Sequence, residues 1–145
     1  MHARTVGERE YLVVLDRDEE VIASLLEFAA AKGIDGGWVQ GLGSLKDIEL
    51  GFYELEKRIY LKRRFDEDME LGSLQGNLAR AGKDRVLHAH AVVSGTELIA
   101  FTGHLFEAKI AVTAEFHVRD FGVRVERAEV KSVGLRLICP VEAAK

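Results

Sequence analysis

Cysteine is nearly absent: Cys139 is the only one in 145 residues. That count excludes an internal disulfide and fits a reducing, cytoplasmic setting. Proline is as scarce, with Pro140 alone, and 48% of residues are hydrophobic, so the chain is not a disordered one. No apolar run approaches the roughly 20 residues a membrane span requires. The opening MHARTVGEREYLVV mixes acids and arginines ahead of a short apolar run, which is neither a signal peptide nor an anchor. A basic surplus is missing too, with 20 Lys and Arg against 24 Asp and Glu, a net charge of −4 and a pI near 5.8. A dedicated nucleic-acid binder usually carries such a surplus, so bulk charge argues against that role. Repeats, low-complexity tracts and linkers are lacking as well, which leaves a single domain over residues 1–145.

What is present reads as one helix among strands. The spacing of Val21, Ile22, Leu25, Leu26 and Ala29 predicts a helix over about 18–32, with Asp16 or Asp18 as cap and Lys32-Gly33 as stop. YLVVLD (11–16), WVQGLGSL (38–45), ELGFYELE (49–56), RIYLKRRF (58–65) and MELGSLQGNLA (69–79) are strand candidates. VLHAHAVV and LIAF follow, then HLFEAKIA (104–111), which reads as a helical turn or an irregular crossing. VTAEFHV (112–118), VRVERAEV (123–130) and LRLIC (135–139) close the chain. Neither face of VRVERAEV is cleanly apolar, so that strand is exposed, at an edge, or packed on another copy. The pattern predicts an α+β domain: an antiparallel, partly barrel-like sheet with one main helix.

The chemistry concentrates in residues 86–105, VLHAHAVVSGTELIAFTGHL, which hold three of the five histidines. In a strand His88 and His90 share one face, while Leu87, Ala89 and Ala91 take the other. Loop length decides where His104 lands. A two-residue loop at Gly95-Thr96 pairs position 88 with 103 and turns His104 to the reverse face. An odd loop centred on Thr96 pairs 88 with 104 and gathers all three imidazoles, and this is the expected register. Gly103 would then allow a close backbone approach beside His104. Three neutral imidazoles with one open position form a known catalytic zinc ligand set, and imidazole also suits iron, nickel and copper. For the His-x-His pair alone the competing reading is two half-buried rings bonded to backbone or lining an interface.

Glu115 and His117 share a strand face with Thr113 and Arg119. If that face meets the histidines, Glu115 could orient a ligand or move a proton; otherwise it is a solvated polar face, with His117 a surface histidine. His2, near the terminus, carries no argument. Lys57, Arg58, Lys62, Arg63, Arg64, Arg80, Lys83 and Arg85 make a local basic patch, but Asp66, Glu67, Asp68, Glu70 and Asp84 are interleaved with it. GLGS (41–44) lacks the lysine of a phosphate loop, and its glycines read instead as a bulge or close contact.

HAH in an apolar strand, then GHL, then TAEFHV, resembles the PPC domain, the plants and prokaryotes conserved family. GLGSLKDIELGFYELE and MELGSLQGN resemble its glycine-containing strand with hairpin and its central strand; the likeness runs from about residue 10 to 119. The resemblance implies a homotrimer and a divalent metal, zinc foremost, on His88, His90 and His104, with Glu115 at the family's acidic position. It implies a regulatory module with DNA or a protein as partner and no membrane. The alternative it implies is a metal-dependent lyase or hydrolase on a small carbonyl substrate, similar in fold and site to acetolactate decarboxylases, with Glu115 catalytic. Plant members bind DNA through an added arginine-glycine-arginine hook, and this chain has no such core.

Overall fold

The computed structural model describes residues 1–138. Cys139 and Pro140, and with them the end of the LRLIC strand, lie outside the described residues. Chain order is β1 (His2–Gly7), β2 (Glu10–Asp16), α1 (Val21–Lys32), β3 (Gly37–Glu54), β4 (Ile59–Phe65), β5 (Met69–Ala81), β6 (Asp84–Ser94), β7 (Ala100–Asp120), β8 (Arg127–Val130) and β9 (Leu135–Ile138). Strands β1 to β7 form one antiparallel sheet in the order β1-β2-β7-β6-β5-β3-β4. β3 also pairs with β7, so β7-β6-β5-β3 close on themselves and the sheet is partly a barrel. β8 and β9 form a separate two-stranded ribbon.

The helix begins at Val21, where the apolar spacing begins, and not near residue 18 as the aspartate caps suggest. Glu20, not Asp16 or Asp18, is the N-cap, its carboxylate accepting from the Ala23 amide. Both aspartates are otherwise engaged. Asp16 holds the Met1 amine, and Asp18, in a left-handed conformation, holds Lys46. Gly33 ends the helix in the left-handed conformation the stop signal implies. Val21, Leu25, Phe28 and Ala29 bury the helix against the concave side of the sheet.

HLFEAKIA is not a helical turn. LIAF, HLFEAKIA and VTAEFHV are stretches of one continuous strand, β7, with Leu98 and Ile99 left in the loop before it. The irregularity hinted at by HLFEAKIA takes the form of bulges in both strands: β7 carries extra residues between Leu105 and Glu107 and between Ile110 and Ala114, and β3 carries one between Lys46 and Glu49, where Asp47 adopts a positive φ of 51°. The N-terminal segment, unassigned from its composition, is strand β1 at the sheet edge.

The inner face carries Val13, Leu15, Val39, Leu45, Leu74, Leu78, Ala91, Ile110, Phe116 and Val118, and no polar residue is buried among the described residues. Phe116 is wholly enclosed, and its ring fills the space where a side chain at Gly41 would stand. Phe116→Ala therefore opens a cavity at the crossing of β3 and β7. A loss of about 3–5 kcal/mol in urea-denaturation stability is expected.

Candidate metal centre

Strand β6 alternates as its sequence dictates. Leu87, Ala89, Ala91 and Val93 enter the core, and His88 and His90 face outward. The β6–β7 loop runs from Gly95 to Ile99, so it is odd in length and keeps His104 on the histidine face. Its centre differs from the expected one: His90, not His88, is the direct partner of His104, a slip of two residues. A slip of two preserves the face, whereas a slip of one would have reversed it. His88 then sits on the diagonal, two residues along the same strand.

The three rings form a triangle, with centroid separations of 5.0 Å for His88–His104, 5.2 Å for His88–His90 and 5.6 Å for His90–His104. One nitrogen from each lies within 4.8 Å of the others. A tetrahedral ion with Zn–N bonds of about 2.1 Å needs these atoms roughly 3.4 Å apart, which small ring rotations supply. Nδ1 of His104 is buried with no hydrogen-bond partner. An orphaned imidazole nitrogen beside two others is what a metal ligand looks like before the ion is added, and it fits poorly with histidines bonded to backbone.

Glycine makes the crowding tolerable. His104 pairs on its other side with Gly51 of β3, and a Cβ on Gly103 would stand 2.9 Å from the Gly51 carbonyl oxygen. A Cβ on Gly51 would meet the Phe106 ring at 2.5 Å. Phe106 packs edge-on to His104 at 4.7 Å, and Tyr60 of β4 lies over it at 5.2 Å. Burial drives both His88 and His104 down to about 4 from 6.5. Arg127 and then His90 add to this at His88; His88, His90, Arg127 and Lys62 add to it at His104. At neutral pH both rings are uncharged and keep a lone pair for an ion.

That shift has a consequence for the metal-free chain. Between about pH 6.5 and 4 the unfolded chain takes up protons on these histidines and the folded one does not, so stability falls as pH falls through this window and is flat above it. Both rings are partly exposed, so screening trims the effect to the order of 2 kcal/mol. Urea titrations of metal-free protein at about pH 7.5 and about pH 4.5 measure it, and His88→Gln with His104→Gln flattens the difference.

Beside the triangle lies a pocket of about 210 Å³, lined by Tyr60, Val86, Leu87, His88, His104, Arg127, Leu135 and Leu137 among others. Its outer wall is the β8–β9 ribbon, held down by the Tyr53 hydroxyl donating to Val133 O (2.7 Å) and Arg58 donating to Ser132 O (3.2 Å). Arg127 and Tyr60 were not legible as site residues. VRVERAEV gave the only signal, since a strand with no clean face needs something polar to pack on. Burial holds the Tyr60 phenol above its ordinary value, so it keeps its proton at neutral pH.

Glu115 is elsewhere. With Gln40, Leu42, Gln75 and His117 it lines a separate cleft of about 360 Å³. Cross-strand partners run Leu12, His117, Gln40, Gln75, His90, so three strand spacings, ~14 Å around the sheet, separate His117 from His90. Glu115 stands two residues further along β7 and does not meet the imidazoles within one chain. His117 pairs loosely with Glu10 at 3.5 Å, and His2 with Asp16 at 3.1 Å.

A partly closed antiparallel barrel with one helix, carrying three converging imidazoles on neighbouring strands, defines a small α+β module built to present histidines from its outer face. Residues 3–122 match the Plants and Prokaryotes Conserved (PCC) domain, and the chain belongs to that family. Among solved structures it is similar to a protein from Bacteroides thetaiotaomicron provisionally described as DNA-binding (TM-score 0.91, 28% identity, 95% of this chain and 96% of that one). It is also similar to a plant- and prokaryote-conserved (PPC) protein from Pyrococcus horikoshii (0.85, 30%, 94% of each chain). A third, from Archaeoglobus fulgidus, is described as metal-containing (0.84, 29%, 94% and 96%). No curated protein matches the sequence. No helix among the described residues is long and apolar enough to cross a membrane.

Proposed function

We propose that the chain is a cytoplasmic, homotrimeric PPC module that holds one divalent transition metal ion, zinc first, on His88, His90 and His104, and acts as a regulatory binding protein. The observation that carries this reading is the triangle of imidazoles, one of whose rings keeps a buried nitrogen without a hydrogen-bond partner. The metal-containing description of the Archaeoglobus relative supports it. The ion, when bound, would supply a Lewis-acidic position facing the adjacent pocket. Trimer formation draws support from two apolar areas on the outside of the sheet. Phe52 and Leu61 are cross-strand partners, 69% and 52% exposed, and Leu42, 57% exposed, flanks the Glu115 cleft. Two unlike patches on one copy suit a head-to-tail ring.

The enzyme alternative has the adjacent pocket in its favour but, among the described residues, no base. Tyr60 holds its proton, and Glu115 lies in the other cleft. Catalysis by Glu115 would thus need a neighbouring copy to bring it to the ion, so binding is the better reading.

DNA as a partner rests on how the Bacteroides relative is described. The basic patch of this chain does not add to it, because most of its cations are engaged: Lys57 with Glu54, Lys62 with Glu49, Arg64 with Glu107, and Arg80 and Arg85 with Asp35. Arg63 lies over Phe65 and Phe101. Fluorescence anisotropy with a labelled duplex should show no binding at ~10 μM protein in about 150 mM salt. Salt-sensitive retention there would reinstate DNA as the partner.

The reading as a whole is tested by elemental analysis of protein purified without a histidine tag. About one zinc, iron, nickel or copper ion per chain is expected. A metal-free protein that takes up none of these on dialysis would overturn it.

A further inference from the structure

The pocket beside the histidines has an unbalanced charge. Arg127 reaches into it from β8, donating to the Asn77 side-chain oxygen (2.9 Å) and to Arg136 O (2.8 Å). Both acceptors are neutral. Its Nε–H is buried and has no acceptor, and two bonds leave most of the five guanidinium donors uncommitted. Arg136 lines the same pocket, and among the described residues no Asp or Glu does. The part-buried Arg80 and Arg85, by contrast, each have the Asp35 carboxylate within reach. Add an ion at the imidazoles and the pocket holds two cationic centres facing one small space. A half-buried site of that kind is unfavourable until an anion enters.

We propose that this pocket binds a short-chain organic acid, its carboxylate on Arg127 and a second oxygen donor directed at the metal position on His88, His90 and His104. The inference rests on the metal reading above. Guanidinium matches a carboxylate's planar geometry. Val86, Leu87, Leu135 and Leu137 supply apolar walls for a short carbon chain. At about 210 Å³ the pocket has the volume of roughly seven waters, which suits a few-carbon acid and excludes a nucleotide or a DNA strand. Arg127 and the whole β8–β9 ribbon lie beyond residues 3–122, the part matched by the family model.

Calorimetric titration of zinc-loaded, tag-free protein with 2-oxobutanoate tests this, alongside Arg127→Gln and Arg127→Lys, with zinc content and circular dichroism measured on each. The expected result is saturable binding by wild type, weakened at least ~10-fold in Arg127→Gln and less in Arg127→Lys, with zinc content unchanged. Equal affinity in a folded Arg127→Gln overturns the inference. So does zinc-loaded wild type that gives no heat up to about 10 mM, or that binds inorganic phosphate more tightly. In all three cases the metal reading survives. A chain that retains no zinc removes both. Should Arg127→Gln not fold, a crystal of wild type with zinc and 2-oxobutanoate decides the question: the carboxylate on the guanidinium supports it, and a carboxylate elsewhere overturns it.

Discussion

His104→Ala should empty the metal centre, lowering bound zinc from about one ion per chain to under about 0.1 after dialysis, with apparent affinity reduced at least ~100-fold. The argument is geometric. His104 is the direct cross-strand partner of His90 and lies 5.0 Å from His88 between ring centroids, so it is the ligand that closes the triangle. Without it, two imidazoles from one strand face open solvent, and water fills the rest of the coordination shell. His88 and His90 variants should lose nearly as much, while His117→Ala, on the cleft with Glu115, should lose none. Plasma emission spectrometry gives the count. Undiminished zinc in His104→Ala would mean that the ion sits elsewhere.

The second large effect concerns assembly. Phe52→Asp is expected to convert a trimer of three 16.1 kDa chains into monomers at micromolar concentration. Phe52 is 69% exposed and pairs across the strands with Leu61, itself 52% exposed, so the two present a continuous apolar area on the outside of the sheet. A buried aspartate at the centre of such a contact costs several kcal/mol, enough to dissolve a standard interface. Because the position is exposed in the single chain, the fold should survive, and circular dichroism should be unchanged. Sedimentation equilibrium separates the outcomes. A monomeric wild type, or a trimer untouched by both Phe52→Asp and Leu42→Asp, contradicts the proposed assembly.

The parts of this molecule that the sequence made legible are those governed by local periodicity. The helix from Val21, the alternation of Leu87, Ala89 and Ala91 against His88 and His90, and the antiparallel, barrel-like sheet all follow from spacings of a few residues. What escaped depends on partners far along the chain. Glu20 outcompetes two aspartates as helix cap because Asp16 and Asp18 are held by Met1 and Lys46. HLFEAKIA runs extended because β3 lies beside it along its length, and bulges in both strands absorb the irregularity. Arg127 joins the histidine pocket only through a ribbon anchored by Tyr53 and Arg58, more than 70 residues upstream. The slip from an 88–104 to a 90–104 pairing is of another kind: composition of the loop sets whether its length is odd or even far better than it sets its centre.

The strands that carry the imidazoles are also the ones most firmly embedded. β7 is gripped by β2, β3 and β6 in succession, and its inward residues Leu105, Ile110, Ala114 and Phe116 are sealed in the core whatever happens outside. A chelator should therefore strip the ion and leave a fully folded protein, unlike a zinc finger, whose chain collapses with its metal. An ion held at these histidines would be a tenant of this architecture, not its keystone. Exchange of one metal for another then becomes a question of supply and ligand chemistry alone, with no refolding step in between.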